Sequence, residues 1–139
     1  MKLMIDTNVL LDVLLDREPF SEDSQIVWKL CETYTAEGMI SSLSFANMIY
    51  VLRKHVDPKR VMNLITELSL IFRFKPLDQG ILYVAAACQW EDFEDAIQFA
   101  TAAMHKADYI VTRDKDGFRG SEIPVITPHE LVEKMSGIM

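Results

Sequence analysis

The chain has 139 residues, half of them apolar and a quarter charged, with five glycines and five prolines, which suits one domain with its own core and excludes a disordered or fibrous protein. Its formal net charge of −7 excludes capture of nucleic acid by charge alone, because that mode releases counterions from many phosphates; a nuclease is not excluded, since carboxylates that hold metal ions would make part of that charge themselves. Cys31 and Cys88 lie in apolar stretches without Cys-x-x-Cys spacing, so both are read as buried thiols of a reducing cytosol, with no disulfide or structural metal required.

Leu3, Met4 and Ile5 predict a short buried strand that passes at Asp6 into a helix carrying Val9, Leu10, Val13 and Leu14. Asp6, Asp12 and Asp16 interrupt this apolar run, so it lacks the core of a signal peptide, and no uncharged stretch, Gly80 to Trp90 included, is long enough to span a bilayer. A cytoplasmic protein without membrane contact is the expectation. Ser21 precedes a second helix, with Glu22 and Asp23 in its first turn and Gly38 as its stop. Met39 and Ile40 make a second strand, Ser44 caps a third helix, and Asp57-Pro58 starts a fourth that runs through Val61, Leu64, Ile65 and Leu68. A third strand over Ile71 to Phe74 is followed by helices opened by Asp78 and Asp92, which end near Trp90 and Lys106. Tyr109 to Val111 form a fourth strand, Pro124 to Ile126 a short fifth, and a last helix begins near Pro128.

Short strands separated by helices call for an α/β fold with a parallel sheet covered on both faces, and in such folds ligands bind at the carboxyl ends of the strands. Asp6 and Asp114 fall at or just past strand ends, and Asp95 lies in the first turn of a helix that can reach the same edge. Taken singly, each has an ordinary structural reading: Asp6 as a helix cap, Asp92 and Asp95 as a cap and a favourable dipole charge, Asp114 and Asp116 as residues of a glycine-containing turn. Gathered at one edge, the carboxylates would repel one another and call for a neutralising cation. All-oxygen ligands favour Mg2+ or Mn2+ over zinc. The three histidines share no ligand spacing.

Three segments, Met1-Lys-Leu-Met-Ile-Asp-Thr-Asn-Val-Leu-Leu-Asp12, Asp92-Phe-Glu-Asp-Ala96 and Ile110-Val-Thr-Arg-Asp114, resemble in order the successive motifs of the PIN domain family. The resemblance implies a single domain over residues 1–139 with a three-layer α/β/α fold, Mg2+- or Mn2+-dependent endoribonuclease activity, and frequent membership of toxin–antitoxin pairs as the VapC-like toxin. Carried over by position, Asp6, Asp95 and Asp114 are the catalytic, metal-holding acids. Asn8 positions the first acid and Thr112 steadies the turn. The family's second acid, usually a Glu on the helix after the second strand, is replaced here by Asn47, with Asp92 or Asp116 as possible compensation. An amide oxygen holds a hard cation more weakly than a carboxylate.

Arg113 and Lys115 flank Asp114 and are the expected RNA contacts; the other basic groups read as solvated helix ends and loops. The expected partners are an RNA substrate, an antitoxin protein and a second copy in a homodimer, with the apolar helix around Val61 to Leu70 as one contact surface. The competing reading within the fold is a catalytically degenerate domain that binds RNA or protein. A phosphatase or receiver using an Asp at a strand end is disfavoured, because the former wants an acid where Asn8 stands and the latter a Lys where Thr127-Pro128 stands.

Overall fold

The computed structural model describes residues 1–138. Its elements in chain order are β1 (Lys2–Ile5), α1 (Thr7–Leu14), α2 (Ser21–Glu32), β2 (Glu37–Ser41), α3 (Ser42–Leu52), α4 (Pro58–Ser69), β3 (Arg73–Lys75), α5 (Gln79–Cys88), α6 (Phe93–Met104), β4 (Tyr109–Val111), a 3-10 turn (Lys115–Phe118), β5 (Val125–Ile126) and α7 (Pro128–Ile138). The five strands form one sheet in the order β3-β2-β1-β4-β5, every pairing parallel. The chain builds outward from β1 to β3, then returns to the other side of β1 for β4 and β5, so the strand order reverses between β1 and β4.

Alternation along the strands sorts the core into two faces. Leu3, Ile5, Ile40, Val111 and Ile126 pack on one side with residues of α1 to α4 and with Leu131 of α7. Met4, Met39 and Ile110 face the other side, against Ala102 of α6 and Phe118. Behind them α5 and α6 pack together through Ile81, Ala85, Ala96, Ile97 and Ala100. This is the expected three-layer arrangement. Leu3, Met4 and Ile5 are at most 1% exposed, and each contributes about 1.5–3 kcal/mol by leaving water.

Several boundaries differ from the sequence expectation. Gly38 does not stop α2; it lies inside β2, and a Cβ there would meet Cys31 Sγ and Phe72 at 2.7 Å. The helix ends instead at Thr33, followed by Tyr34 in the left-handed region at φ 58°. Ser21 is the first residue of α2 rather than its cap, and its hydroxyl donates to Glu18. Ser44 is buried within α3, which Ser41 precedes. The third strand begins two residues later than expected, spanning Arg73–Lys75 rather than Ile71 to Phe74. Of the cysteines, Cys31 is fully buried and Cys88 half-buried; both are free. Along α4, Val61 and Leu68 are buried in the core while Met62, and Leu70 just past the helix, remain exposed. Among the described residues, no helix is long and apolar enough to cross a membrane.

Candidate active site

The register sets the first contact. Ile5 pairs with Val111, so Asp6 and Thr112 leave the sheet side by side, and the Asp6 backbone N–H donates to the Val111 carbonyl at 2.9 Å. This is the reversal point of the strand order, where parallel sheets open a crevice. Asp6 occupies the cap position of α1, yet its side chain makes no capping hydrogen bond. Its Oδ2 instead accepts from the Thr112 hydroxyl at 2.8 Å and, more loosely, from the Asn8 amide at 3.4 Å. The carboxylate is 9% exposed. Capping therefore does not explain Asp6. The Thr112 hydroxyl, fully buried, also accepts from the Asp114 backbone N–H at 3.0 Å, so one side chain ties the first acid to the loop that carries the last.

On α6 the two acids divide their work. Asp92 caps the helix, its Oδ1 accepting from the Asp95 N–H at 3.1 Å; here the ordinary structural reading holds. Asp95 is left free to face the loop after β4. Gly117 stands between them: a Cβ on it would lie 2.5 Å from Asp95 Oδ2 and 3.3 Å from Asp114 Oδ2. No glycine among the described residues has a positive φ, so Gly117 is required for room rather than for backbone freedom. Asp95, Asp114, Asp116, Gly117 and Trp90 line an open cleft of about 660 Å³. Asp116 is itself exposed and pairs with Arg119 at 3.2 Å.

Burial and like charge both act on these acids. The Asp95 carboxyl is pushed up to about 7, first by burial and then by the charges of Asp92, Asp6, Asp114 and Glu94. Burial raises Asp6 as well, opposed by hydrogen bonds from Thr112, Gln98 and Asn8 that favour its charged form. Such a group of carboxylates is more stable with a cation, or protons, among them.

The structure brings Asp6, Asn8, Asp95, Thr112 and Asp114 to one edge and leaves Asp92 and Asp116 on its rim. Asn47 projects from α3 and its amide donates to Glu94 Oε1. Sequence reasoning passed over Glu94, Gln98 and Gly117. Gln98 was detectable as a polar residue at helical spacing from Asp95 on an otherwise apolar face; it is 1% exposed and stabilises the Asp6 carboxylate. The two expected RNA contacts are engaged within the chain. Arg113 Nε donates to the fully buried Asp12 at 2.6 Å, with its guanidinium 4.0 Å above the Phe20 ring. Lys115 pairs with Glu130 at 3.0 Å.

The donors fit a hard divalent cation in kind: all are oxygens, and Asp95 and Asp114 converge on the space that a Gly117 side chain would fill. Among the described residues, no group of three or more His, Cys, Asp or Glu side chains is arranged to hold a metal ion as it stands, so the acids would have to draw together around one.

Residues 2–116 match the PIN domain family, and the chain belongs to that family. No curated protein sequence is significantly similar to it. Its fold is shared with FitAcB from Neisseria gonorrhoeae at 21% identity and a TM-score of 0.70, over 91% of this chain and 98% of that one. A toxin–antitoxin complex from Klebsiella pneumoniae is 25% identical, with a TM-score of 0.69 over 92% of this chain and 98% of that one. VapBC2 from Rickettsia felis, solved bound to a DNA fragment from its promoter, is 12% identical with a TM-score of 0.65, over 91% and 97% of the two chains.

Proposed function

We propose that this PIN domain is a Mg2+- or Mn2+-dependent endoribonuclease and the toxin of a toxin–antitoxin pair. The observation that carries the catalytic part is Asp6: a buried carboxylate at the strand-order reversal, unspent on its helix and tied through Thr112 to the loop that carries Asp114. Asp6, Asp95 and Asp114 would hold the metal, which supplies a water of lowered pKa and offsets charge on the departing 3′ oxygen. Held as ligands, these carboxylates are poorly placed to attack phosphorus themselves. Thr112 and Asn8 fix the orientation of Asp6, and Thr112 sets the backbone at Asp114. In-line displacement by water leaves 5′-phosphate and 3′-hydroxyl ends.

The toxin assignment and its antitoxin partner draw on the toxin–antitoxin complex and VapBC2 among similar folds. Leu82, Tyr83 and Val84 on α5 and Phe93 on α6 are exposed, and exposed apolar side chains of this kind suit a protein partner or a second copy. The neutral Asn47 favours a second reading, a degenerate domain that binds without cutting.

The deciding experiment incubates the purified protein with a labelled structured RNA, with Mn2+ or with EDTA, and identifies the fragment ends. Internal cleavage that requires Mn2+ and leaves 5′-phosphates is expected. Intact RNA alongside well-folded protein that binds no Mn2+ would replace the nuclease with the binding module.

A further inference from the structure

We propose that Phe93 and Arg119 seat the RNA at the acid cleft: the Phe93 ring takes the face of an unpaired base beside the scissile phosphate, and Arg119 takes a neighbouring backbone phosphate. This rests on the ribonuclease reading above. Phe93 opens α6 directly after the capping Asp92 and lines the same cleft as Asp95 and Asp114. It is 48% exposed and stands in sequence between Asp92 and Glu94, so core packing does not account for it. Leu82, Tyr83 and Val84 of α5 lie off that wall. A flat ring at the rim of a phosphate-binding cleft suits a base, because every base presents a π face and stacking tolerates any sequence. Trp90 on the same wall is not the platform. Phe99 packs against its ring at 5.1 Å, Phe118 lies perpendicular to it at 6.0 Å, and Gly120 approaches so closely that a Cβ would lie 2.5 Å from its Nε1. Trp90 is a fixed floor, and Phe93 is the ring left free.

Arg113 is held by the buried Asp12, and Lys115 by Glu130. Arg119 has the exposed Asp116 at 3.2 Å, the two side chains being 79% and 81% exposed. An ion pair so open to water contributes little, so the guanidinium exchanges Asp116 for a phosphate at small cost, and its planar fork matches that group. Among the described residues, Arg119 is the one basic side chain on the cleft wall. It also forms part of the wall of a second hollow, of about 410 Å³, between the 3-10 turn and β5. An RNA strand that leaves the acids toward β5 therefore crosses Arg119, whose charge offsets the carboxylates that repel the backbone.

The test is steady-state cleavage of the labelled RNA in Mn2+, with kcat and KM separated, by the wild type, Phe93→Ala, Phe93→Tyr, Arg119→Gln and Arg119→Lys, matched in melting temperature. Phe93→Ala is expected to raise KM by about 10-fold, within the roughly 5- to 150-fold that a stacked base contributes, and Phe93→Tyr to stay near the wild type. Arg119→Gln is expected to raise KM and to lower the slope of log KM against log salt by about 0.7, one phosphate contact on a single strand; Arg119→Lys should keep the slope. A wild-type KM in Phe93→Ala, or an unchanged salt slope in Arg119→Gln, with cleavage intact, would overturn that residue's role and leave the nuclease standing; Phe93 would then belong to a surface that meets a protein. If the wild type does not cleave, the nuclease reading fails, and the anisotropy of a short fluorescein-labelled single-stranded RNA decides the seat by itself. Binding that weakens in both Phe93→Ala and Arg119→Gln supports it, and equal or absent binding overturns it.

Discussion

Asp6 and Asp92 each precede a helix, and residue type alone does not separate them. The separation lies in one hydrogen bond: Asp92 gives its Oδ1 to the Asp95 N–H, whereas Asp6 turns from its helix to Thr112. No sequence pattern encodes that rotamer choice, because both side chains are competent caps. Gly117 was equally hidden, since a glycine in an Asp-rich turn reads as a turn residue, while its neighbours show that it keeps Asp95 and Asp114 apart from any side chain. Gly117→Ala should therefore fold normally, its backbone needing no left-handed conformation, but displace the Asp95 carboxylate. Cleavage is expected to fall by about 100-fold, the scale of a 1 Å misplacement in a catalytic site. Thermal melts and single-turnover rates on the same preparation check both halves.

At the scale of elements, the sequence was most legible where local chemistry dominates. Asp57 with Pro58, Asp78 and Asp92 open helices where expected, each accepting a hydrogen bond from its own first turn. It misled where tertiary packing overrides local preference, as at Gly38, which serves Cys31 and Phe72 rather than a helix end. Arg113 is a further case: beside Asp114 it looks like a phosphate contact, but Asp12 on α1 and Phe20 before α2 take its guanidinium. Asp12 is fully buried, so it cannot touch RNA. An ion pair that anchors the β4 loop predicts strong coupling: Asp12→Asn and Arg113→Gln should each lower stability and cleavage, and the double variant should be little worse than either. Breaking a buried pair costs about 3–5 kcal/mol, with the lower end expected here because Arg113 is partly exposed. Urea denaturation of the four proteins measures it. Additive losses, or tighter RNA binding when Asp12→Asn frees Arg113, would argue for the contact role instead.

At the scale of the molecule, the parallel sheet and its covering helices followed from alternating short strands and helices, and the site followed from which strand ends such a sheet brings together. The strand order was not readable, because no local signal states that β4 returns beside β1; yet that return places Asp6 next to Thr112. The arrangement stores like charge, and this has a pH consequence. The Asp95 carboxyl is raised to about 7 in the folded chain, against roughly 3.9 when unfolded. Between those values the folded state keeps a proton that the unfolded state releases, so the contribution is complete below about pH 4 and is lost as pH rises through about 7. Asp6 shifts in the same direction. In EDTA, the urea midpoint should fall from pH 5 to pH 8, and Asp95→Asn should flatten the decline. Saturating Mn2+ should restore the midpoint at pH 8 by binding the folded state.

A side-by-side cleavage measurement of wild-type and Asp6→Asn protein, matched in melting temperature, on one labelled RNA in Mn2+ tests the aspartate site most directly. Internal cleavage by the wild type, with 5′-phosphate ends, is expected, with a loss of at least about 100-fold in Asp6→Asn, the scale on which removal of one transition-state-stabilising group acts. Equal cleavage by the two proteins would contradict this expectation, and would place the chemistry, if it belongs to this chain, away from the aspartate edge.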